Sequence, residues 1–303
     1  MYRLLNLGIL FALSAHVFGA EPTPASRSEV KSLKITVLST MLADGKELGE
    51  WGFAALVEVD GHRILFDTGD NIEVFRKNVE KMHVDLTHLD MVIITHAHGD
   101  HTAGLRYVLA KNPKVKLYVP DDPYFTGVVL PAAFLSTDAR PELPAKMRYF
   151  RGGAAPEPRE WVSWTDTNIT AVSEAMTIAP HIRLVSLVSE KGAFKGLREI
   201  SLVLDTPTGP AVIVGCSHAG IERIMAAATE NDATKPVAML VGGLHLLQDS
   251  PAQIEATLDT LAQKYHVKTM AIGHCSGELA FLRVQQRWGD HSLYAGLGET
   301  VVF

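Results

Sequence analysis

The chain has 303 residues, of which 47% are hydrophobic, and its formal net charge is −6 at pH 7. A chain of this length and composition is globular and long enough for one large domain or two modest ones. A mildly acidic protein without a basic tract binds nucleic acid poorly, so we exclude nucleic acid as a partner and expect a small-molecule substrate.

The first 20 residues have the pattern of a secretory signal peptide. Arg3 precedes an apolar run at 4–13, which is too short to span a bilayer, and small residues follow before Glu21. We predict cleavage after Gly19 or Ala20 and a periplasmic or secreted protein, with an uncleaved N-terminal anchor as the alternative. No other membrane contact is expected. The polar segment 21–33, which contains Pro and Ser, is predicted to be a linker.

From residue 34 the pattern alternates between strands and helices. Strand-like runs cover 35–38, 53–59, 63–66, 91–94 and 115–119. The pair Asp60–Gly61 predicts a tight hairpin between the second and third runs. Apolar residues at spacings of three and four predict helices at 72–82 and 105–109. This order is typical of the first half of an α/β layered domain.

The stretch after the fourth strand concentrates potential metal ligands. His96 and His98 lie two residues apart, a spacing that puts both side chains on the same side of an extended backbone. Gly99 permits a sharp turn, after which Asp100 and His101 are placed to hold a second ion or a metal-bound water. Imidazole and carboxylate suit zinc, iron or manganese better than calcium. We therefore predict one or two divalent transition-metal ions, with zinc favoured.

The segment at about 120–180 interrupts the alternation. Prolines are spread through it and its hydrophobic periodicity is weak. Long irregular segments in compact domains are usually lids or binding loops. Its aromatic and basic residues are therefore candidates for a substrate contact, and an insertion that packs for its own stability is the equally weighted alternative. They are Arg148, Tyr149, Phe150, Arg151, Trp161 and Trp164.

The second half resumes with strand-like runs and ends three of them in the same way. The runs cover 184–188, 200–204, 211–214, 237–241 and 269–272, with helices predicted at 221–228 and 254–261. In each of the last three runs the strand ends in Gly, and His218, His245 or His274 follows closely. Ligands bind at such strand ends in open α/β sheets, so we predict that these histidines share one site.

Two features of this half leave alternatives open. The middle metal ligand is either His218 or His181, and we favour His218 because it follows a strand end and opens a helix. Cys216 is a candidate ligand, since a thiolate binds zinc well. In an oxidising compartment, Cys216 and Cys275 would instead form a disulfide.

Several motifs in the sequence resemble those of a known family. His-x-His-x-Asp-His at 96–101, with Asp-Thr-Gly at 67–69, resembles the first metal motif of the metallo-β-lactamase superfamily. Gly-Cys-Ser-His-Ala-Gly at 215–220, Gly-Gly-Leu-His-Leu at 242–246 and Gly-His-Cys-Ser-Gly at 273–277 resemble one branch. That branch is named for a dihydropterin ribofuranosylaminobenzene phosphate synthase. The resemblance covers the predicted domain at 34–303, apart from the insertion.

The resemblance implies a fold and a ligand set. The expected fold is an α/β four-layer αββα sandwich, in which two mixed β-sheets pack together, helices lie outside and a metal centre lies at one sheet edge. The family's metal residues carry over to His96, His98, Asp100 and His101, and its final metal histidine to His274. Cys216 stands where many relatives have a bridging Asp.

The resemblance also implies a reaction. We expect a metal-dependent hydrolase, or a related transferase, in which a metal-bound hydroxide attacks an ester, lactone, amide or phosphodiester bond. Asp100 would orient that nucleophile or move its proton. His245 would bind metal, contact the substrate or stabilise developing negative charge. The alternatives are a β-lactamase and a metal-dependent binding or sensor protein without turnover.

Overall fold

A computed structural model describes residues 29–126, 142, 144, 147, 167–190, 192–232 and 234–302. The predicted signal peptide, most of the predicted linker and the aromatic and basic residues at 148–164 lie outside these residues. No helix in the described part of the chain is both long enough and apolar enough to cross a membrane.

The strands of the first half are short and mostly buried, as expected for strands covered on both faces. In chain order they are β1 (Leu33–Ser39), β2 (Ala54–Val59), β3 (His62–Phe66), β4 (Met91–Ile93), β5 (Lys116–Pro120) and β6 (Asn168–Val172). The remaining strands are β7 (Met176–Ala179), β8 (Ile182–Val188), β9 (Arg198–Thr206), β10 (Gly209–Val214), β11 (Met239–Gly243), β12 (Thr269–Gly273) and β13 (Thr300–Val302).

The helices connect these strands and lie on the outside. They are α1 (Ile72–Lys81), α2 (Gly99–Thr102), α3 (Leu105–Lys111), α4 (Pro123–Thr126), α5 (Ile221–Ala228), α6 (Pro251–Asp259) and α7 (Glu278–Trp288). Helix α6 continues as a π-helical turn at Thr260–Lys264, and short 3₁₀ turns lie at Gly192–Phe194, His274–Ser276 and Gly289–His291.

The strands form two mixed sheets. The first has the order β13-β1-β2-β3-β4-β5-β6 and the second the order β12-β11-β10-β9-β8-β7. In the first, β3 to β6 pair in parallel, whereas β1, β2 and β3 pair antiparallel. In the second, β10, β11 and β12 are parallel to one another and antiparallel to β9. The carboxyl ends of the parallel strands carry the loops that contain the candidate ligands.

Buried apolar side chains hold the layers together. One cluster lies between the two sheets and includes Val57 and Phe66 from the first sheet and Leu202 and Leu204 from the second. A second cluster packs α5, α6 and α7 on the second sheet, and a third packs α1 and α3 on the first. The predicted four-layer αββα sandwich is therefore confirmed.

Local patterns match this architecture, with differences near the insertion. The hairpin at Asp60–Gly61 is confirmed, because both residues have positive φ and Val59 pairs with His62. Strands β6 and β7 lie within the segment that we predicted to be irregular to about 180. Both strands are short and their residues are mostly half-exposed or exposed. They therefore lack the continuous apolar runs that revealed the other strands. Helix α7 and strand β13 were not predicted.

Candidate metal centre

The predicted ligands converge at the edge where both sheets present the ends of their parallel strands. Four of them follow β4, two follow β10 and one follows β12. They are His96, His98, Asp100 and His101, then Cys216 and His218, and finally His274. These residues, which we call the candidate metal centre, are mostly buried, and His98, Asp100 and His218 are partly exposed.

One group of four side chains has spacings that suit a tetrahedral metal site. Asp100, His101, Cys216 and His274 each offer a ligand atom within 4.8 Å of the others. The Cys216 Sγ is 3.2 Å from the Nε2 atoms of both histidines. The Asp100 Oδ2 is 3.4 Å from His274 Nε2 and 3.7 Å from His101 Nε2. In a tetrahedral zinc site, ligand atoms stand about 3.3–3.6 Å apart. The four distances in this group lie within a few tenths of an ångström of that range, so its side chains could close around such an ion after small shifts.

A second group shares the same thiol. His96, Cys216 and His218 also bring their ligand atoms within 4.8 Å, and the His98 ring centroid lies 4.6 Å from that of His96 and 4.8 Å from that of His218. In the described structure, the buried His96 Nε2 and both ring nitrogens of His218 have no hydrogen-bond partner. Unpartnered buried nitrogens are costly, and metal coordination would satisfy them. Cys216 belongs to both groups.

Asp67 sets the orientation of two of the histidines. Its buried carboxylate accepts hydrogen bonds from the Thr95 backbone N–H at 2.7 Å and the Thr95 hydroxyl at 2.8 Å, and it lies 2.7 Å from His101 Nδ1. Because the Thr95 proton is directed to Asp67, the Thr95 oxygen accepts from His96 Nδ1–H at 2.8 Å. Both imidazoles therefore carry a proton on Nδ1 and present Nε2 to the candidate metal centre.

The electrostatics also suit metal ligands. Burial moves the pKa of His96 well below its ordinary value and lowers that of His218 to about 2, so both rings are neutral. Burial opposes ionisation of Asp100, but His274 and His101 lower its pKa overall, which keeps the carboxylate charged. Burial raises the pKa of the Cys216 thiol, so a metal ion would have to displace its proton on binding.

Glu199 is a site residue that our sequence analysis missed. Its buried carboxylate, at the start of β9, accepts hydrogen bonds from the backbone N–H groups of Cys216 at 3.0 Å, Ser217 at 2.8 Å and Ala219 at 3.3 Å. It thereby holds the loop that carries Cys216 and His218. The available signal was an acidic residue directly before the mostly apolar run at 200–204, because a carboxylate buried with such a run must find hydrogen-bond donors.

Several strand-end residues adopt strained backbone conformations. Asp67, Ser217, His245 and His274 all have φ between 49° and 67°, in the left-handed region. A non-glycine residue there costs about 1–3 kcal/mol and persists only where the surroundings enforce it. Here, hydrogen bonds such as that from the Ser217 hydroxyl to the Gly243 carbonyl, at 2.7 Å, hold neighbouring strand ends together.

His245 lies at the rim of the candidate metal centre. Its ring centroid is 4.5 Å from that of His218 and 5.1 Å from that of Phe194. In the described part of the chain, it belongs to neither of the two groups of metal-ligating atoms. Phe194 also packs against the rings of His98 and His218, at 5.3 Å and 4.2 Å, and so covers this side of the histidines.

The structure separates His181 from the other histidines. His181 occupies the turn between β7 and β8, where its carbonyl accepts from the Asp205 backbone N–H at 3.0 Å. Asp205 is near the end of β9, whereas Glu199 is at its beginning, a distance of about 20 Å along an extended strand. Of the two alternatives for the middle ligand, the structure brings only His218 to the site.

The two cysteines are both free and buried. The Cys275 thiol donates to the Cys216 carbonyl at 3.6 Å, so the residues are neighbours. Only Cys216 belongs to the groups of metal-ligating atoms among the described residues. The structure thus shows the free-thiol arrangement, and the disulfide alternative does not occur in it.

We expect His218→Ala to lower metal content by about one equivalent, because it removes an imidazole from the group around His96. His181→Ala should leave metal content unchanged and is the matched control. Elemental analysis of both variants after reconstitution with zinc and desalting measures the difference. The opposite order would show that the middle ligand had been assigned to the wrong histidine.

The chain is similar in sequence to several known proteins. The family model of the metallo-beta-lactamase superfamily matches residues 52–228. The chain is 25% identical over 245 residues to a 7,8-dihydropterin-6-methyl-4-(beta-D-ribofuranosyl)-aminobenzene-5'-phosphate synthase of Methanocaldococcus jannaschii, and the match covers 75% of this chain and 81% of that protein.

Solved structures share the fold. Tm1679, described as a metal-dependent hydrolase of the β-lactamase superfamily, superposes with a TM-score of 0.64 at 24% identity, covering 89% of this chain and 98% of that one. The metallo-beta-lactamase fold protein YhfI from Bacillus subtilis superposes with a TM-score of 0.55 at 12% identity, covering 90% and 99%. At these identities the similarity concerns the fold alone.

Proposed function

This chain belongs to the metallo-β-lactamase superfamily, and from that premise we propose that it is a metal-dependent hydrolase or a related transferase. The observation that carries the proposal is the pair of ligand groups that share Cys216 at the strand ends. The curated relative from Methanocaldococcus jannaschii supports the assignment to its branch, and its synthase activity is stated only for that protein.

The residues present fit one or two divalent ions. Asp100, His101, Cys216 and His274 would hold one, and His96 with His218 would hold the other, with Cys216 shared and His98 adjacent. A mixture of thiolate, imidazole and carboxylate donors favours zinc over calcium or magnesium, and we propose zinc ahead of iron or manganese. Such an ion would supply a nucleophile at neutral pH, because it would lower the pKa of water toward about 7.

Asp100 is placed to act on the reacting groups. Helix α2 begins at Gly99, so Asp100 lies in its first turn and projects its carboxylate toward His101 and His274. Its side chain is 18% exposed, whereas both histidine side chains are fully buried. This carboxylate can therefore meet the solvent cleft, accept a proton there and return it to a leaving group.

His245 lies beside His218 at the rim of the candidate metal centre. Its imidazole is partly exposed and adjoins His218, so a ring N–H can donate to negative charge that develops on a substrate oxygen. Phe194 covers the neighbouring rings and limits access of water to them. We propose Asp100 and His245 as the catalytic residues of a reaction on an ester, lactone, amide or phosphodiester bond.

The proposal also covers where the protein acts and what it binds. The N-terminal pattern supports export to the periplasm or secretion, and the acidic net charge supports a small-molecule substrate with no nucleic-acid partner. A β-lactam is a further candidate substrate. The alternative outside the enzymes is a metal-dependent binding or sensor protein, and an activity assay distinguishes the two.

We expect the zinc-loaded protein to hydrolyse at least one member of a chromogenic panel of esters, lactones, phosphodiesters and β-lactams. Turnover should fall at least about 100-fold after chelation and return on adding zinc, because the nucleophile depends on the ion. Steady-state rates of loaded, stripped and reloaded samples give the measurement. Full zinc loading without turnover on any bond class would contradict the enzyme and support the binding or sensor protein.

A further inference from the structure

A cavity of about 580 Å³ opens beside the candidate metal centre, on the side of His274. Trp51, Leu246, Leu247 and Phe281 form much of its apolar lining, and His274 contributes to the wall next to the ligand groups. The Trp51 and His274 ring centroids are 5.4 Å apart. A molecule bound here would therefore adjoin the group formed by Asp100, His101, Cys216 and His274. The volume is in the range of small-molecule sites.

The charges around this cavity discriminate against anions. Among the described residues that line it, the acidic ones are Asp249 and Glu278, and none is Lys or Arg. A phosphate or carboxylate would meet two like charges and find no cation to pair with in this cavity. An uncharged apolar group meets no such cost and gains from leaving water.

The walls of the cavity are held by backbone contacts. The Leu247 backbone N–H donates to the Cys275 carbonyl at 3.2 Å, which fixes the loop after β11 next to the loop after β12. Gly277 has a φ of +88°, and a Cβ there would lie 3.0 Å from the Leu247 Cα. Only a residue without a side chain allows this close approach, so the position of Leu247 is set before any ligand binds.

Two large side chains at the cavity are unusually exposed. Trp51 is 46% exposed and Leu247 is 53% exposed, and both lie beside the candidate metal centre. Adjoining apolar side chains left in water mark a surface that a ligand covers. A ligand that covers them gains affinity in proportion to the apolar area removed from water.

We propose that this cavity binds an uncharged apolar group of the substrate, next to the bond that reacts. The inference rests on the proposed function, and it defines the substrate class as an uncharged compound with an aliphatic or aromatic group. Each buried methylene should strengthen binding about fourfold. Trp51 and Leu247 are then specificity-determining residues.

Two hydroxamic acids that differ only in chain length test this class. Both carry the same metal-binding head, so their difference reports on the cavity. On zinc-loaded protein, hexanohydroxamic acid should bind at least about tenfold more tightly than acetohydroxamic acid by titration calorimetry, since burial of only two of its four additional methylenes would strengthen binding about sixteenfold. The six-carbon chain with a terminal carboxylate should lose this advantage because it faces Asp249 and Glu278.

Variants locate the effect. Trp51→Ala and Leu247→Ala should each reduce the preference for the longer chain about three- to tenfold and leave the affinity for acetohydroxamic acid unchanged. Leu282→Ala is the matched control, because Leu282 is 46% exposed on α7 but does not line this cavity. Equal affinity of the wild type for both hydroxamic acids, or an equal effect of Leu282→Ala, would overturn the inference.

A ligand without a metal-binding head distinguishes this inference from the proposed function. 1-Hexanol should give saturation-transfer NMR signals with the wild type and with Leu282→Ala, and lose them with the Trp51→Ala/Leu247→Ala double variant. The absence of a wild-type signal overturns the cavity assignment. If hexanol binds but neither hydroxamic acid does, the cavity stands and the proposed metal-dependent function fails.

Discussion

Asp100→Asn is expected to lower turnover by about 10²–10⁴, the usual contribution of a positioned acid–base group. The amide keeps the size of the carboxylate and one acceptor oxygen, but it loses the charge and the ability to accept a proton. The loss falls on the chemical step, so kcat should fall more than KM. Steady-state kinetics with the best substrate of the panel measure both constants.

Metal analysis of the same samples makes this result interpretable. The group around His96 and His218 contains no carboxylate among its metal-ligating atoms, so its ion should remain when Asp100 is changed. Loss of the ion that Asp100, His101, Cys216 and His274 would hold would instead assign the fall in kcat to metal binding. Asp85→Asn is the matched control, because Asp85 is an exposed aspartate that also contacts a histidine, at 2.6 Å from His88 Nδ1. A near wild-type kcat with full metal in Asp100→Asn would remove Asp100 from the mechanism.

Asp67→Asn is expected to weaken metal binding about 10- to 100-fold, although Asp67 belongs to neither ligand group. Its two oxygens serve the Thr95 N–H, the Thr95 hydroxyl and His101 Nδ1. An amide nitrogen in place of one oxygen faces donors, so His101 must move its proton to Nε2 or rotate. Either change withdraws the lone pair that His101 directs toward Cys216.

Competition with a chromophoric chelator measures the zinc dissociation constant of this variant. Asp85→Asn should leave that constant unchanged, since Asp85 and His88 are exposed and neither belongs to the ligand groups among the described residues. Thr95→Val should give a smaller loss than Asp67→Asn, because it breaks the link to His96 and leaves the direct contact to His101. Wild-type affinity in Asp67→Asn would show that the carboxylate does not orient the histidines.

The parts of the fold that were predictable share a physical reason. Strands covered on both faces, such as β4 and β10, are continuous apolar runs, and parallel strands bring their carboxyl ends to one edge. The three Gly–His strand endings could therefore be assigned to a single site. The topology then brings His218 and His274 to the same edge as His96.

The parts that were missed depend on contacts across the chain. Glu199 is recognisable only through the backbone donors that it accepts from the loop after β10. Asp67 belongs to the Asp-Thr-Gly motif at 67–69, but it orients His96 only through the Thr95 hydroxyl. The cavity formed by Trp51, Leu247 and Phe281 joins segments that are far apart in sequence and carry no shared pattern. No local sequence pattern marks such features.

The central claim is that Cys216 and the surrounding histidines bind transition metal, and its most direct test is the metal content of the purified protein. After removal of metal, reconstitution with zinc and desalting, elemental analysis should find one to two equivalents per chain. Cys216→Ser should lower this value more than Cys275→Ser does, because only Cys216 belongs to both ligand groups. A content well below one equivalent in the folded wild type would contradict the account.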